Sequence, residues 1–245
     1  MNSWVILPTY NEAANVARMV EALTALGLGL SVLVVDDDSP DGTGAIAEGL
    51  AARSPSVHVI RRREERGLGT AYLAGFRYAL DHGYDVAVRL DGDGQHDATE
   101  LPKLLGPLEN DEADVVTGSR FRDADDSYRP PLGRRLGITW FAKLVSLLSR
   151  QRVTDTTSGF QALNRRAIAL FARDYPSDYP EVEATVLLLK HRMRLVEVPV
   201  RMREREHGSS SITFVRSVYY AFKVTLALLV AMARRYAVPS EGVHK

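Results

Sequence analysis

Short apolar runs rich in β-branched residues alternate with amphipathic stretches through the first 118 residues of the chain. Such runs are typical of buried strands in a parallel sheet, and the stretches between them are typical of helices that cover the sheet. Apolar residues recur at helical spacing from Val16 to Leu26, which predicts a first helix with Asn11 as its N-cap. The predicted strands are Trp4 to Leu7, Ser31 to Val35, Val57 to Ile60, Asp85 to Leu90 and Asp114 to Thr117. The pattern therefore predicts an α/β fold with a mainly parallel sheet flanked by helices.

The alternation weakens after Gly118, where the second half of the chain begins. Residues 120–152 carry eight basic and three acidic side chains, and we predict a loop there, followed by a helix from Arg134 to Arg150. A further strand is predicted from Leu195 to Val200. This half therefore offers a basic segment beside the sheet.

The last predicted helix, about Ile212 to Arg235, is apolar nearly all round. Its longest stretch without acidic or arginine side chains, Ser217 to Ala233, is shorter than the roughly 20 apolar residues that cross a membrane, and it contains Lys223. We expect this helix to lie in a membrane interface, or else to pack on the domain or on a second subunit.

The composition narrows the possible functions. The chain is 45% apolar and 25% charged, which is ordinary for a globular protein. Its 31 basic and 31 acidic residues cancel, which argues against a nucleic-acid binder. It contains no cysteine, which excludes a thiolate nucleophile and a cysteine-ligated metal. The N-terminus has no basic segment followed by a long apolar run, so we expect the protein to stay in the cytoplasm.

Acidic residues follow the second and fourth predicted strands, at the edge where an open α/β sheet binds its ligands. The turn that begins at Asp36 is typical of loop structure when taken alone. After the fourth strand, side chains two apart in extended chain point the same way, so Asp91, Asp93 and Gln95 present three oxygens to one side. Mg²⁺ prefers such ligands together with substrate phosphates. This segment predicts a site for a metal and a diphosphate, and we expect the adjacent His96 to be exposed or to cap a turn.

Five motifs occur in order along the chain: Pro-Thr-Tyr-Asn-Glu, Val-Asp-Asp-x-Ser-Pro-Asp-Gly-Thr, Gly-Leu-Gly-Thr-Ala-Tyr, Asp-x-Asp-x-Gln-His and Gly-Ser-Arg. In order and spacing they resemble the family 2 inverting glycosyltransferases, within them the dolichyl-phosphate mannose synthase and polyprenyl-phosphate glycosyltransferase branch. The resemblance spans roughly residues 3–212. It implies a GT-A-type, Rossmann-like fold, a GDP- or UDP-sugar as donor, and Mg²⁺ or Mn²⁺ as cofactor.

The resemblance also implies a role for each matched residue. The nucleotide-binding residues are Pro8, Tyr10, Glu12, Val35, Asp37, Asp91 and Gly92. The metal ligands are Asp91, Asp93 and Gln95. The catalytic residues are Asp93, Arg120 and Arg205, of which the two arginines contact phosphate. One position departs from the family pattern, because the mannose synthases carry a lysine where this chain has Ser211.

The identity of the acceptor decides whether the reaction needs a base. A sugar hydroxyl has to lose a proton, for which Glu183 or Asp155 would serve, whereas a phosphate is largely ionised at neutral pH and attacks unaided. Relatives that glycosylate hydroxyls carry a Glu-Asp pair near the position of Glu183, and that pair is absent. We therefore expect transfer to a polyprenyl phosphate. A glycosyltransferase that extends a saccharide, and a nucleotide-binding regulatory domain without turnover, are the alternatives.

These expectations give the chain two parts. Residues 1–211 form the glycosyltransferase domain, with a nucleotide-binding half at 1–118 and an acceptor half at 119–211. Residues 212–245 form the C-terminal apolar helix and tail. The expected partners are a nucleotide sugar, a polyprenyl phosphate and the inner face of a membrane, on which the protein lies peripherally, with no nucleic acid. A homo-oligomer is left open.

Overall fold

The computed structural model describes residues 1–91, 96–121, 132–149, 151, 153–156, 158–175 and 180–201. Within these residues seven strands form one sheet in the order β3-β2-β1-β4-β6-β5-β7. The strands are β1 Ser3–Thr9, β2 Ser31–Asp36, β3 Val57–Arg61, β4 Val86–Arg89, β5 Val115–Ser119, β6 Gln161–Asn164 and β7 Leu195–Pro199. Strand β6 runs antiparallel to its neighbours β4 and β5, and every other pairing is parallel. The predicted mainly parallel sheet is confirmed.

Helices cover both faces of the sheet. They are α1 Val16–Thr24, α2 Thr43–Ala51, α3 Leu68–Asp81, α4 Leu101–Glu109, α5 Leu132–Ser149, α6 Arg165–Asp174 and α7 Pro180–Lys190. Along β1, Val5 and Leu7 pack into the core layer of α1, α2 and α4, whereas Trp4 and Ile6 pack into the layer of α3, α6 and α7. All seven residues of β1 are buried, as expected for a central strand with a period of two and two covered faces.

The direction of the strands places the functional edge. Parallel strands end at the same edge of a sheet, so the residues after β1, β2, β4 and β5 meet there. Because β6 runs the opposite way, the described residues that precede it, 153–156 and 158–160, also lie at this edge. We call it the carboxyl edge, and the opposite one the amino edge.

Two local predictions differ from the structure. The first helix begins at Val16 with Asn15 in the N-cap position, whereas Asn11 has a φ of 59° and lies in the preceding turn. Asparagine tolerates this left-handed conformation better than most residues, so the same chemistry that suggested a cap forms a turn. Strand β6 was not predicted, because its sequence, Gln-Ala-Leu-Asn, contains no β-branched residue and is not an apolar run.

The C-terminal part of the predictions lies beyond what the structure describes. The predicted helix at 212–235 and the boundary at 211 fall outside the described residues, whereas the predicted helix at 134–150 corresponds to α5. Strands from both predicted halves, 1–118 and 119–211, join the same sheet. Among the helices that are described, none has the length and apolar character needed to span a membrane.

Candidate active site

The loops after β1 and β2 are joined by hydrogen bonds at the carboxyl edge. Three consecutive backbone N–H groups of the first loop donate to side chains of the second. The pairs are Asn11 with Ser39 Oγ, Glu12 with Thr43 Oγ1 and Ala13 with Asp41 Oδ2, at 3.1, 2.9 and 3.0 Å. Asn11 and Asp38 both have positive φ, at 59° and 52°. Asparagine and aspartate adopt this conformation more readily than other residues with a side chain, and the three hydrogen bonds between the loops hold them as one unit.

Asp37 fixes the loop between β3 and α3 against the end of β2. Arg62, just after β3, donates from Nε to Asp37 Oδ1 at 2.8 Å, and the backbone N–H of Gly67 donates to Oδ2 at 2.7 Å. Gly67 has a φ of 130°, which residues with a side chain rarely adopt. The charged hydrogen bonds and the glycine together determine where α3 begins, one residue later at Leu68.

A pocket of about 390 Å³ opens between the end of β1 and the start of α3. Its lining comprises Pro8, Thr9, Tyr10, Asp37, Arg66, Gly67, Leu68 and Ala71. Tyr10 is 48% exposed, and the guanidinium carbon of Arg66 lies 5.5 Å from the centre of its ring. An exposed ring, a cation and a carboxylate at one pocket are suited to stacking on a base and to hydrogen bonding with it.

The predicted nucleoside residues divide between this pocket and its surroundings. Pro8, Tyr10 and Asp37 line the pocket. Val35 is fully buried in the core layer of α3, and the carboxylate of Glu12 accepts a hydrogen bond from Asn15 Nδ2 at 2.8 Å. These two residues are outside the described lining of the pocket, and their contact with a nucleoside stays a prediction.

Asp91, at the end of β4, is held on several sides. The Tyr72 hydroxyl donates to Asp91 Oδ1 at 2.9 Å, and the Asp91 backbone N–H donates to His96 Nδ1 at 3.1 Å. A Cβ at Gly159 would lie 2.7 Å from Asp91 Oδ2, so glycine is needed where the segment before β6 passes the carboxylate. The Asp91 side chain is nevertheless 34% exposed. It therefore has a fixed orientation and an open side.

Sequence reasoning assigned no role to the residues that hold Asp91. Tyr72 is fully buried, and burial together with the negative charge of Asp91 raises its pKa well above the usual value, so the hydroxyl keeps the proton that it donates. Of the two alternatives expected for His96, exposure is wrong, because the residue is 8% exposed and its ring stacks on Phe160 at 4.9 Å. The capping alternative agrees with the hydrogen bond that His96 Nδ1 accepts from the Asp91 N–H. Tyr72 and His96 each end a motif of the sequence, Gly-Leu-Gly-Thr-Ala-Tyr and Asp-x-Asp-x-Gln-His, whereas Gly159 carried no such signal.

Arg120 follows β5 and forms a buried ion pair with Asp155. Its Nε lies 2.7 Å from Asp155 Oδ2 and its Nη2 lies 2.7 Å from Oδ1. The two side chains are 6% and 0% exposed. Both carboxylate oxygens of Asp155 therefore accept hydrogen bonds from Arg120, in the side-on geometry that fixes the guanidinium plane.

Asp155 is itself held by Glu197 of β7, which sequence reasoning did not single out. Glu197 Oε1 accepts hydrogen bonds from the backbone N–H groups of Thr154 and Asp155, at 2.8 and 3.0 Å. Its Oε2 accepts one from the Thr154 hydroxyl at 2.7 Å. A buried glutamate in a strand thus anchors a segment that has no regular backbone pairing of its own.

Comparison with known proteins places this site in a family. Residues 4–171, more than half of the chain, match the sequence model of the family described as Glycosyl transferase family 2. The chain belongs to glycosyl transferase family 2. The predicted membership, and with it the prediction of a nucleotide-sugar glycosyltransferase, is confirmed.

Two curated relatives are similar to this family 2 chain over most of their length. It is 39% identical over 217 residues to the undecaprenyl-phosphate mannosyltransferase of Micrococcus luteus, a match that covers 87% of this chain and 88% of the relative. It is 38% identical over 214 residues to the polyprenol monophosphomannose synthase of Mycolicibacterium smegmatis, covering 85% and 80%.

Solved structures of lower identity show the same fold. Glucosyl-3-phosphoglycerate synthase of Mycobacterium tuberculosis, in complex with Mn²⁺ and UDP-glucose, superposes with a TM-score of 0.70 at 19% identity, covering 96% of this chain and 80% of that one. The mannosyltransferase PcManGT of Pyrobaculum calidifontis, in complex with GDP-mannose and Mn²⁺, gives a TM-score of 0.60 at 17% identity, covering 95% and 73%. The predicted GT-A-like α/β architecture is confirmed by these neighbours.

Four predicted site residues of this family 2 glycosyltransferase lie outside the described residues: Gly92, Asp93, Gln95 and Arg205. Within the part of the chain that is described, no three carboxylate or histidine side chains come close enough together to hold a metal. The described site thus consists of the pocket at α3, the carboxylate of Asp91 and the Arg120–Asp155 pair, all at the carboxyl edge.

Proposed function

We propose that this chain transfers a sugar, with inversion, from a nucleoside-diphosphate sugar to a polyprenyl phosphate. Its similarity to an undecaprenyl-phosphate mannosyltransferase over 87% of the chain supports this assignment. The names of the two curated relatives make mannose the first sugar to test. Breaking the bond to the diphosphate develops negative charge on the leaving group, which fixed positive groups stabilise.

The donor occupies the pocket beside α3. The base stacks at Tyr10, and the first turn of α3 presents backbone N–H groups and the positive end of the helix dipole toward an anion. Asp91 lies at the end of β4, on the neighbouring strand to β1. The donor therefore extends along the carboxyl edge, with its base at β1 and β2 and its diphosphate at β4.

The proposed metal ligands are Asp91, Asp93 and Gln95. Asp91 fits this role, because its carboxylate is one-third exposed while the Tyr72 hydroxyl fixes one of its oxygens. Carboxylate oxygens suit both Mg²⁺ and Mn²⁺. A bound divalent ion would neutralise charge on the leaving diphosphate. Asp91 and Tyr72 contribute by keeping one oxygen ligand in a fixed place at the edge of the pocket.

The observation that carries the choice of acceptor is the Arg120–Asp155 pair. A saccharide acceptor needs a base, and Asp155 is fully buried with both oxygens bonded to Arg120. A carboxylate in this position is not placed to take a proton from a hydroxyl. A phosphate acceptor needs no base, and an oriented arginine binds a phosphate well. This removes Asp155 as a candidate base and leaves Glu183, which the second test below addresses. On this ground we favour a lipid phosphate over the saccharide alternative.

A lipid acceptor requires contact with a membrane, and helix α5 offers a surface for it. Trp140 and Leu147 are 57% and 78% exposed, and Lys143 between them is also exposed, at spacings that place all three on one face. Apolar side chains with a cation suit an anionic lipid surface. We propose peripheral attachment at the inner, cytoplasmic face of the membrane, with this helix among the contacts.

The test compares two acceptors that differ only in the phosphate. The purified chain is incubated with Mn²⁺, radiolabelled GDP-mannose and either a polyprenyl phosphate or the polyprenol of the same length, and UDP-sugars follow in parallel. We expect label in the lipid extract with the phosphate and none with the alcohol. Equal labelling of both, or label only in a saccharide, would contradict the proposal, and no turnover with any donor would favour a regulatory domain.

Glu183 provides a second test of the acceptor. With a phosphate acceptor, Glu183→Gln keeps most of the activity, whereas a hydroxyl acceptor that used Glu183 as base predicts a loss of about 10²–10⁴-fold. The affinity for the nucleotide, measured on the same preparation, separates loss of a base from loss of the fold. A large loss with normal affinity would move the assignment to a saccharide-extending enzyme.

A further inference from the structure

We infer that Glu197 is a positioning residue for Arg120, acting through Thr154 and Asp155. The inference rests on the proposed function, in which Arg120 contacts phosphate. Glu197 is 4% exposed and lies on β7, whose residues pair with those of β5, the strand that leads to Arg120. Its described hydrogen bonds go to Thr154 and Asp155, and Asp155 in turn binds Arg120, so we trace its effect through this segment.

The first link is the hold of Glu197 on the segment before β6. Residues 153–156 form neither helix nor strand, so no backbone ladder fixes their position. Their N–H groups at Thr154 and Asp155 donate instead to the Glu197 carboxylate. Hydrogen bonds to a charged acceptor are stronger than neutral ones, and a buried N–H that loses its acceptor is costly. The position of this segment therefore depends on the carboxylate.

A hydroxyl chain ties the same segment to the end of β5. The Thr154 hydroxyl gives its single proton to Glu197 Oε2 at 2.7 Å. The 2.8 Å contact between the hydroxyls of Ser119 and Thr154 must therefore have Ser119 as donor, since a hydroxyl has only one proton to give. Ser119 immediately precedes Arg120, so both ends of the Arg120–Asp155 pair are anchored to one carboxylate.

The second link is the pair itself. Asp155 accepts from the Nε and Nη2 of Arg120 and, at 3.3 Å, from its backbone N–H. A side-on pair of this kind sets the plane of the guanidinium and uses two of its five N–H donors. A shift of Asp155 therefore rotates the guanidinium edge that would meet a phosphate. Small displacements of a group that stabilises developing charge lower the rate strongly.

Asp114 provides a matched control at the other end of the same strands. It is 3% exposed and, like Glu197, accepts a backbone N–H, that of Arg194 at 2.7 Å, together with Asn164 Nδ2 at 2.9 Å. It precedes β5, whereas Arg120 follows it, and six residue steps of extended chain separate them by about 20 Å. Asp114→Asn thus replaces a comparable buried carboxylate by an amide at a position away from the carboxyl edge.

The experiment measures kcat, with both substrates saturating, for Glu197→Gln, Asp114→Asn, Arg120→Lys and the double variant Glu197→Gln with Arg120→Lys. We expect Glu197→Gln to lower kcat about tenfold or more and to leave the nucleotide Kd unchanged, and Asp114→Asn to leave kcat within about twofold. In the Arg120→Lys background, Glu197→Gln should lower kcat by a further factor of less than about two, because the effects of substitutions at coupled residues are not additive. The inference would be overturned by equal kcat for Glu197→Gln and Asp114→Asn. It would also be overturned if the loss of kcat in the double variant equalled the product of the losses in the two single variants.

A measurement without turnover separates this inference from the proposed function. In protein labelled with ¹⁵N-arginine, the Nε–H signal of Arg120 is assigned by its loss in Arg120→Lys. Glu197→Gln should speed hydrogen exchange at this group about tenfold or more, and Asp114→Asn should not. Unchanged exchange would overturn the positioning role even in an active enzyme. Faster exchange in a protein that makes no lipid product would uphold the role and reject the proposed function.

Thr154→Val supplies a variant that keeps every charge, for the case in which Glu197→Gln does not fold. It removes the hydroxyl between Ser119 and Glu197 and preserves the side-chain volume. Exchange at the Arg120 Nε–H should again accelerate, by a smaller factor than expected for Glu197→Gln. Exchange at the wild-type rate in a folded Thr154→Val protein would contradict the inference.

Discussion

The two edges of the sheet use buried carboxylates in different ways. At the amino edge, Asp114 accepts hydrogen bonds from Arg194 in the turn before β7 and from Asn164 at the end of β6, so it joins neighbouring parts of the sheet. At the carboxyl edge, Asp37 and Asp155 likewise pair with an arginine, and together with Glu197 they bind loop segments of the candidate site. Both edges therefore contain carboxylates paired with arginine, and only those of the carboxyl edge hold loops of the candidate site.

Backbone conformation alone does not distinguish the two edges. Asn11 and Asp38 at the carboxyl edge have positive φ, and so do Asp111 and Arg192 in the turns that precede β5 and β7 at the amino edge. The difference between the edges lies in which parts of the molecule the buried carboxylates hold. The comparison teaches that substitutions at the carboxyl edge should mainly affect turnover, and substitutions at the amino edge should mainly affect the free energy of unfolding.

The largest expected effect is that of Asp93→Ala. If this carboxylate binds the metal and diphosphate, its removal lowers turnover by about two or more decades, because several kcal/mol of transition-state stabilisation are lost. The melting temperature in the absence of metal should change little, because the substitution removes a proposed metal ligand. Initial rates over a range of Mn²⁺ concentrations provide the measurement. More than a tenth of the wild-type activity, with unchanged metal dependence, would refute the assignment.

Asp155→Asn should lower both turnover and the free energy of unfolding. At this position the two kinds of effect are therefore not separated. It leaves the buried guanidinium of Arg120 without its charged partner, and breaking a buried ion pair costs about 3–5 kcal/mol. We expect lower stability in chemical denaturation together with a loss of activity of about tenfold or more. A stable and fully active variant would show that the pair has neither role.

Arg120→Lys keeps the charge and removes the planar group. Lysine cannot form the side-on pair with Asp155 or present two parallel N–H groups to a phosphate, so we expect turnover to fall about tenfold. The expectation for Arg205→Lys is the same if that residue also binds phosphate. Steady-state kinetics with varied acceptor are the check, and near-normal values for both variants would mean that these arginines have only structural roles.

The smallest expected effect is the acid sensitivity that Asp114 contributes. Burial alone would raise its pKa, but hydrogen bonds from Arg194 and Asn164 outweigh burial and lower the pKa below its usual 3.8. The stabilisation is therefore complete above 3.8, where the unfolded chain is also ionised, and is lost as the pH falls through the lower folded pKa. Asp114→Asn should flatten this part of the curve of unfolding free energy against pH. An unchanged curve would argue against the role of Asp114.

The fold was largely predictable because its signals are local. Each long parallel strand is an apolar run, and the acidic loops follow those runs directly, so the site could be placed at the strand ends. Strand β6 was missed because its sequence, Gln-Ala-Leu-Asn, lacks the β-branched apolar residues that marked the other strands, including the equally short β4. Its direction is a property of the whole sheet, and this direction is what brings Asp155 and Gly159 to the carboxyl edge.

The partners within the site were less predictable than its location. Arg120 and Asp155 are 35 residues apart, and Glu197 lies 42 residues beyond Asp155, so no spacing rule connects them. Tyr72 reaches Asp91 across 19 residues through the packing of α3 on the sheet. Such pairs depend on which elements are neighbours in three dimensions, and the pattern of one sequence does not contain that information.

The most direct measurement makes the same chemical change at both edges. Asp91→Asn and Asp114→Asn each replace a carboxylate by an amide of equal size, and both variants are assayed for the initial rate of lipid-linked sugar formation and for the free energy of unfolding. We predict that Asp91→Asn lowers the rate by about two decades with little loss of stability, and that Asp114→Asn lowers stability by about 1 kcal/mol with a nearly normal rate. The reverse pattern, or equal losses of rate in both variants, would contradict the division of roles between the two edges.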